Sequence, residues 1–586
     1  MCGIFAYQGE KTDVANLILS GLKSLEYRGY DSWGILVKKN NNAFYLKRQV
    51  GKIKEEKLPP IFSTEGFGHT RWATHGGVFE KNTHPHFDCQ KQIFVVHNGI
   101  IENFIQLKQE LIKKGHIFTS ETDTEVLPHL AEELRKKTND RLKIIKEIIK
   151  KIQGLNAVIF YFLNDSEFYA FKNSSPIVVG KNHDGIFLAS DASALAPYTN
   201  KVYFLDDGEI LVIKEKNLSL FDKNGKPKKI NFINLNYKVE DTLLGGYKHF
   251  MIKEINEQPK VLKTIVDTQE QNLKKAANLI KKSYGSYFIG CGSAYYASLT
   301  GTYFFSKIAK RHINAAVASE FSYLVDFLKE TSLVIPLSQS GETIDVISSI
   351  KKAKEKKAKI LALTNVLGST LYRLADEKLL LLAGPEKCVL ATKSFTAKLA
   401  FLYLLAHILN GNFKKGQENL KKAIKEVEKI INEREKIKKL ASFLKNKEHI
   451  FILGRGVSYP VALESALKIK ESSYIHAEGF PAGELKHGVI ALIEKETPVI
   501  VYNPVDETYE DTLSSAYEVS ARGAYVIGIS SKNNPVYHQF FQIEDCADAT
   551  TIPNVVFAQL LGYYMTLARG LDPDKPRNLA KSVTVK

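Results

Sequence analysis

The stretch YFIGCGSAYYAS (residues 287–298) reads as an apolar strand, a Gly-x-Gly turn and a helix start, and FILGRGVSYPVA (451–462) repeats it. The echo continues downstream. VIPLSQSGET follows the first copy and VIVYNPVDET the second, so Ser338 lies 46 residues beyond Gly292 and Asn503 lies 47 beyond Gly456. From about residue 255, apolar runs such as SYFIG, SLVIPL and KILALTN alternate with helical patterns. That is the βα rhythm of a parallel sheet. Two tandem α/β lobes of common ancestry are expected, first lobe 257–412 and second 448–570, joined by the Lys/Glu-rich helical segment 413–447.

Upstream the rhythm differs. Short β-rich runs (IFVVHNG, AVIFYFL, IFLASD, EILVI) outnumber helical patterns, and turn pairs such as Asp207-Gly208 and Asn224-Gly225 punctuate them. Residues 2–240 therefore read as an α+β unit of stacked sheets. DTLLGGYKHFMIKEIN (241–256), with Gly245-Gly246, is the expected linker, and 571–586 is a C-terminal tail.

Composition narrows the class. The 586 residues are 44% hydrophobic and 25% charged, ordinary globular values. Lys and Arg number 81 against 64 Asp and Glu, a net charge of +17. The excess is interleaved with Glu, as in KEVEKIINEREKIKK, and no nucleic-acid-binding motif accompanies it, so it reads as solvated helix faces that attract anionic substrates. No nucleic-acid partner is expected. The five cysteines (2, 89, 291, 388 and 546) show no CxxC spacing, which points to a reducing compartment. The N-terminus lacks a basic region followed by an apolar core, and the longest apolar stretches, around 399–409 and 555–568, are too short to span a bilayer. A cytoplasmic protein without membrane attachment is expected.

Chemistry-bearing residues gather at both ends. Cys2 follows Met1, and removal of the methionine would leave an α-amino group, pKa about 7.7–8.0, as base toward a thiol of about 8.5. GHTRWATHGG (68–77) packs Arg71, Trp72, Thr74 and His75 into one turn-rich stretch. In VVHNGIIEN (95–103), Asn98-Gly99 lets a side-chain amide and a backbone N–H point together, as an oxyanion requires. ETDTE (121–125) offers carboxylates to a substrate ammonium. His84, His86 and Cys89 lack a fourth ligand and adequate spacing for zinc, so no metal site is expected.

In the second half, SQSGET (338–343) follows a strand and opens a helix, an anion pocket without a Walker lysine and hence suited to a phosphate monoester. GCGSAY lacks the third glycine of a dinucleotide site. ALESALKIKESSYIHAEGFPAGELKHG (462–488) sets Glu464, Lys468 and Glu471 on one helix face and ends near His487.

Together, CGIFAY, YRGYDS, HTRWATHG, HNGIIEN and ETDTE resemble the class II glutamine amidotransferases, whose nucleophile is the N-terminal residue. The resemblance implies that Cys2 attacks a glutamine carboxamide and that Asn98 and the Gly99 N–H stabilise the oxyanion. It implies that Arg71 and Asp123 hold the α-carboxylate and α-amino group, with Thr74 and His75 nearby and Trp72 as an ammonia gate. SQSGET, ALESALKIKE, GELKHG and PRNLAKSVTV resemble the paired sugar-isomerase lobes of the glutamine–fructose-6-phosphate transaminase (isomerizing) family. By that resemblance Ser338, Gln339, Ser340 and Thr343 bind phosphate and His487 opens the sugar ring. Glu471 moves a proton between C1 and C2 with Lys468 beside it, Lys581 forms an imine at C2, and Val389 and Ala580 touch sugar through their backbones. The family often has C-G-T-S where this chain has Cys291-Gly292-Ser293-Ala294, so the second hydroxyl, a phosphate contact, is either missing or replaced by Ser293, and Ala391 stands where serine is common. The implied substrates are L-glutamine and D-fructose 6-phosphate, with no metal or organic cofactor, in a homodimer.

Overall fold

Along the strand Gly3–Gly9, Ile4 and Ala6 face one core while Phe5 and Tyr7 face another. None of the four is more than 1% exposed. A strand buried on both faces needs a layer on each side, and the apolar run requires it. On one side the helix Val14–Leu25 packs Val14, Ile18 and Leu22 against Phe5. On the other, Ile4, Ala6 and Phe67 meet Phe94, Ile159 and Tyr161 of a second sheet. The outer face of that second sheet, Val95, Val158 and Phe160, is covered by the helices Phe104–Lys113, Val126–Arg135 and Arg141–Lys151. The first unit is thus helix, eight-stranded sheet, seven-stranded sheet, helices, with all strand pairs antiparallel. This is the stacked-sheet α+β arrangement expected from the sequence.

The structure is a computed structural model and describes residues 2–584 apart from 40, 41, 55–57 and 236–238. It divides into two compact units. The first comprises Met1–Leu243, Gly368–Thr370 and Ala580–Lys586; the second comprises Leu244–Leu367 and Leu371–Leu579.

The second unit holds two five-stranded parallel sheets. The first runs Asn314–Val317, Ser286–Gly290, Leu333–Ser338, Lys359–Thr364, Glu377–Leu380 across the sheet. The second runs His476–Pro481, His449–Gly454, Pro498–Tyr502, Tyr525–Ser530, Gln539–Gln542. Both have the order 2-1-3-4-5, as the repeat in the sequence requires. The Gly-x-Gly turns match in detail. A Cβ on Gly290 would come within 2.6 Å of Ala294 C, and one on Gly454 within 2.2 Å of Ser458 O. Gly292 and Gly456 take φ of +52° and +55°. In open sheets of this order, ligands bind beyond the strand C-termini where the winding reverses. Here that is between Ser286–Gly290 and Leu333–Ser338, which puts SQSGET at the expected place.

The two longest apolar stretches are the cores of the helices Lys393–Leu409 and Thr551–Ala568, buried on nearly every side. No described helix is long and apolar enough to cross a membrane. The segment 413–447 forms the helices Phe413–Asn432 and Arg434–Leu444. Residues 250–256 of the expected linker are the first turns of the helix Phe250–Thr268. That helix contains Pro259, which cannot donate to Ile255 O. The Gln258 side chain donates to that carbonyl instead, at 3.2 Å. His249 at its N-cap gives no side-chain cap. The carboxylate of Asp574 in the tail does, accepting from Phe250 N and Met251 N at 2.7 Å each.

Candidate functional site

Cys2 sits half-buried at the mouth of the strand Gly3–Gly9. Its thiol is held by Trp72: the Trp72 N–H donates to Sγ at 3.3 Å and the thiol donates to Trp72 O at 3.6 Å. Arg28 Nε donates to Cys2 O at 3.0 Å. Burial pushes the thiol pKa up, so an adjacent base is needed to make the thiolate.

Four loops converge here. Asp31 Oδ2 accepts from Ala73 N at 2.8 Å, and Tyr30 packs edge-on against Trp72 with ring centroids 5.7 Å apart. Arg71 is buried and donates to His75 O, Gly76 O and Gly77 O at 2.6, 3.0 and 3.1 Å. These bonds fold residues 72–77 around the guanidinium, leaving Thr74 exposed and the His75 ring against Phe104. Asp123 is buried and accepts from Ile101 N at 2.7 Å, tying ETDTE to HNGIIEN. The structure thus brings Arg71, Trp72, Thr74 and His75 onto one loop and pins Asp123 to the segment that carries Asn98 and Gly99.

Asn98 is the most informative residue of this unit. Its Oδ1 lies 3.1 Å from His69 Nε2, which also bonds His97 O at 3.0 Å. The His97 carbonyl can only accept, which places the proton on Nε2 and matches an Asn98 amide that turns its oxygen to the ring. The Asn98 Nδ2 is then buried with no partner among the described residues, a donor with an unused hydrogen bond. Gly99 follows with φ +133°, where a Cβ would meet Leu155 O at 2.0 Å. His69 belongs to a buried histidine network missed in the sequence. His84 Nδ1 lies 3.0 Å from His69 Nε2, while His84 Nε2 and His97 Nδ1 reach Thr124 Oγ1 at 3.1 and 2.9 Å. Burial lowers the pKa of His69 to about 3 and of His84 and His97 likewise downward, so the network is neutral. The signal was present: His69 stands two residues before Arg71 in the quoted motif.

In the second unit, SQSGET links the strand Leu333–Ser338 to the helix Ile344–Glu355. Ser338 Oγ accepts from Gly341 N at 3.0 Å and lies 3.3 Å from Thr343 Oγ1. Ser340 Oγ accepts from Glu342 N at 3.1 Å, and Gln339 stands between these serines. Thr343 occupies the N-cap position without capping through its side chain. The simple cap that the motif could have been is not formed, and the helix N-terminus keeps its anion-binding character.

On the helix Ser458–Ser473, Glu464 and Lys468 are fully buried. Lys468 Nζ lies 2.8 Å from Glu471 Oε2 and 3.4 Å from Glu464 Oε1. Ser293 Oγ donates to Glu464 Oε1 at 3.0 Å, so the hydroxyl expected on phosphate is engaged by a buried carboxyl. Burial raises Glu464 to about 7, while the two carboxylates raise Lys468. Glu471 is the member of the row whose carboxylate reaches solvent, at 23% side-chain exposure.

Other expected residues are placed differently. His487 ends the turn Ala482–His487, exposed, and among the described residues makes no hydrogen bond or ion pair with Lys468 or Glu471. Val389 N donates to Asp574 O at 3.1 Å, so its amide is already committed. Ala580 and Lys581 belong to the segment grouped with the first unit. His86 Nε2 bonds Thr122 Oγ1 at 3.0 Å. Cys89 turns instead toward His116 and His129, residues 27 and 40 positions further on, which spacing around residues 84–89 could not reveal.

Comparison with known proteins agrees with this division. The family model described as "Glutamine amidotransferase domain" matches residues 69–197, and that described as "SIS domain" matches 279–408 and 443–568. The chain is 39% identical to the glutamine–fructose-6-phosphate aminotransferase [isomerizing] of Fusobacterium nucleatum, 40% to that of Thermococcus kodakarensis and 41% to that of Caldanaerobacter subterraneus. Each alignment covers 100% of both chains. Among solved structures, the C-terminal domain of glucosamine-fructose-6-phosphate aminotransferase from Francisella tularensis aligns at 34% identity and TM-score 0.53, over 57% of this chain and 99% of that one. Tagatose-6-phosphate ketose/aldose isomerase from Escherichia coli, 18% identical with TM-score 0.50 over 56% of this chain and 96% of its own, shares the fold. With an amidotransferase unit, two SIS lobes and full-length relatives of one name, the chain belongs to the glutamine–fructose-6-phosphate aminotransferase (isomerizing) family.

Proposed function

We propose that the chain converts L-glutamine and D-fructose 6-phosphate into glutamate and glucosamine 6-phosphate, the entry reaction of amino-sugar synthesis. The observation that carries this reading is that one chain, aligned over its whole length with aminotransferase relatives, holds candidate groups for both chemistries. Cys2 with Asn98 lies in the first unit, and Glu471 with Lys468 lies in the second.

Cys2 Sγ attacks the carboxamide carbon, the α-amino group of residue 2 takes the thiol proton, and Asn98 Nδ2 with the Gly99 N–H receives the oxyanion. Ammonia leaves and water cleaves the thioester to glutamate. Arg71 and Asp123 take the α-carboxylate and α-amino group, with Thr74 and His75 beside them and Trp72 gating ammonia. Ammonia would be protonated in neutral water and lose its lone pair, so it passes to the isomerase chemistry without release. There Ser338, Gln339, Ser340 and Thr343 hold the phosphate, with Ser293 indirectly involved through Glu464. His487 opens the ring, and Val389 and Ala580 contact the sugar through their backbones. Lys581 forms an imine at C2 with loss of water, and ammonia displaces the lysine. Glu471 carries a proton from C1 to C2, with Lys468 steadying its charge. The isomerisation is internally redox-neutral, so the chain's own residues suffice. We propose a cytoplasmic homodimer. The five free cysteines support the compartment.

The test is product analysis with two nitrogen sources. Cys2→Ala should lose glutamine-dependent synthesis and keep synthesis from high ammonium. Borohydride with fructose 6-phosphate should label Lys581. Native glutamine hydrolysis by Cys2→Ala, or unlabelled Lys581, would overturn the respective assignment.

A further inference from the structure

Four side chains outside the sites above converge on one point. Cys89 lies between the strands His86–Phe87 and Ile93–Gly99, His116 follows the helix Phe104–Lys113, and His129 and Glu132 are three apart on the helix Val126–Arg135. One donor atom from each lies within 4.8 Å of the others. Cys89 Sγ is 3.7 Å from His116 Nδ1 and 3.5 Å from His129 Nδ1. Glu132 Oε2 is 3.1 and 3.4 Å from those same two nitrogens. A tetrahedron with metal–sulfur bonds of about 2.3 Å and metal–nitrogen or –oxygen bonds of about 2.0–2.1 Å has S···N edges of about 3.5 Å and N···O edges of about 3.3 Å. These four separations match four of the six edges of such a figure, and the other two pairs lie within 4.8 Å.

The surroundings are those of a ligand set. Both imidazoles are buried, turn Nδ1 to the common point and turn Nε2 to a carboxylate. His116 Nε2 is 3.2 Å from Glu133 Oε2, and His129 Nε2 is 3.8 Å from Glu125 Oε1. Glu125 is itself fixed by the amides and hydroxyls of Thr119 and Ser120 at 2.7–2.8 Å. The Glu133 carboxylate behind His116 fixes the tautomer whose Nδ1 lone pair faces a metal, and Glu125 puts a negative charge 3.8 Å behind His129. Thiolate and carboxylate supply two negative charges, which a dication neutralises. The soft thiolate with two imidazoles selects zinc-like ions over magnesium or calcium.

We propose that Cys89, His116, His129 and Glu132 bind one zinc-type dication in a closed, four-protein-ligand site. Binding displaces the Cys89 thiol proton and any proton on Nδ1 to solvent, and no electron is transferred. The ligands bracket residues 117–128, so the metal would clamp both ends of the loop that carries Asp123. Cys89 lies at the exposed rim, which leaves the site open to exchange.

The full-length chain, stripped with a chelator and titrated with cobalt(II) alone, tests this. One equivalent should give the visible bands of tetrahedral cobalt and a near-ultraviolet thiolate-to-cobalt charge-transfer band. Zinc should displace the cobalt with loss of both. Cys89→Ser should lose the charge-transfer band, Cys291→Ser should keep it, and His129→Ala should weaken binding at least tenfold. Zinc should also raise the melting temperature of the unaltered chain more than that of Cys89→Ser, an exposed change that the fold tolerates. Failure to bind cobalt or zinc stoichiometrically, or a charge-transfer band that survives Cys89→Ser, would overturn the proposal and leave His116 as a hydrogen-bonded ring between Glu132 and Glu133.

Discussion

Glu471 accepts a hydrogen bond from Lys468 Nζ at 2.8 Å, one turn along the same helix. The lysine is wholly buried and the glutamate is not. A buried ammonium holds the carboxylate in place while one face remains open to a substrate. Glu471→Gln keeps the shape and the hydrogen bond but cannot accept a carbon-bound proton. It should retain fructose 6-phosphate binding by calorimetry and lose synthesis by about 10²–10⁴-fold. Exchange of the C1 hydrogen with deuterated water should fall in parallel. Undiminished exchange would move the proton transfer to another group.

Glu464 gives the second unit a signature in pH. Burial raises its pKa from 4.5 to about 7, so the folded protein holds this proton more tightly than the unfolded chain. The stability it contributes is complete below about pH 4.5 and is lost as pH rises through about 7. Glu464→Gln removes that titration. Its urea midpoint relative to the unaltered chain should therefore climb between pH 4.5 and 7 and level off above. A pH-independent difference would show that Glu464 stays ionised throughout.

His69 acts through Asn98. Removing an oxyanion donor costs about 10²–10³ in turnover, and Asn98→Ala should show that loss. His69→Phe frees the amide to rotate and should lower kcat for glutamine hydrolysis by a smaller factor with little change in KM. His69→Gln, which restores an N–H donor, should recover part of it. A general stability role would lower the amount of active enzyme without that rescue.

Thr343 spends no side-chain bond on capping its helix. Thr343→Ala should therefore leave the melting temperature nearly unchanged and weaken fructose 6-phosphate binding by about 1.5–3 kcal/mol, the range for a hydrogen bond to a charged group. Loss of stability without loss of affinity would return the residue to a structural role.

Asp574→Ala removes the carboxylate that caps Phe250 and Met251. About 1 kcal/mol of stability should go with it. Hydrogen exchange should rise at both ends of this contact, in the first turn of Phe250–Thr268 and around residues 572–576. Faster exchange in the tail alone would mean the helix does not depend on the cap.

What was legible in the sequence was local or periodic. The alternation in YFIGCGSAYYAS and its second copy was enough for two parallel sheets of matching order, because a βα unit is written in contiguous residues. The β-rich runs IFVVHNG, AVIFYFL and IFLASD with their turn pairs were enough for a unit of stacked sheets. Arg71, Trp72 and His75 could be grouped because they share one loop. Contacts assembled across the fold were not legible. Ser293 meets Glu464 across 171 residues of chain, so its hydroxyl could be assigned to phosphate but not to a buried carboxyl. Cys89 shares a short segment with His84 and His86, yet its partners arrive from a loop and a helix beyond the next strand. Spacing reports neighbours on one element, and burial decides which distant element fills the remaining side.

The cap on Phe250–Thr268 also sets an order of events during synthesis. Phe250 leaves the ribosome 324 residues before the aspartate that receives its amide. At about 5–20 residues per second, that is roughly 15–65 s in which the helix start is exposed and uncapped. The second unit cannot close its own beginning until translation has passed residue 574. A premature stop at codons 571–574 would then leave both lobes made and their first helix without its cap, so the product would carry the defect at its opposite end.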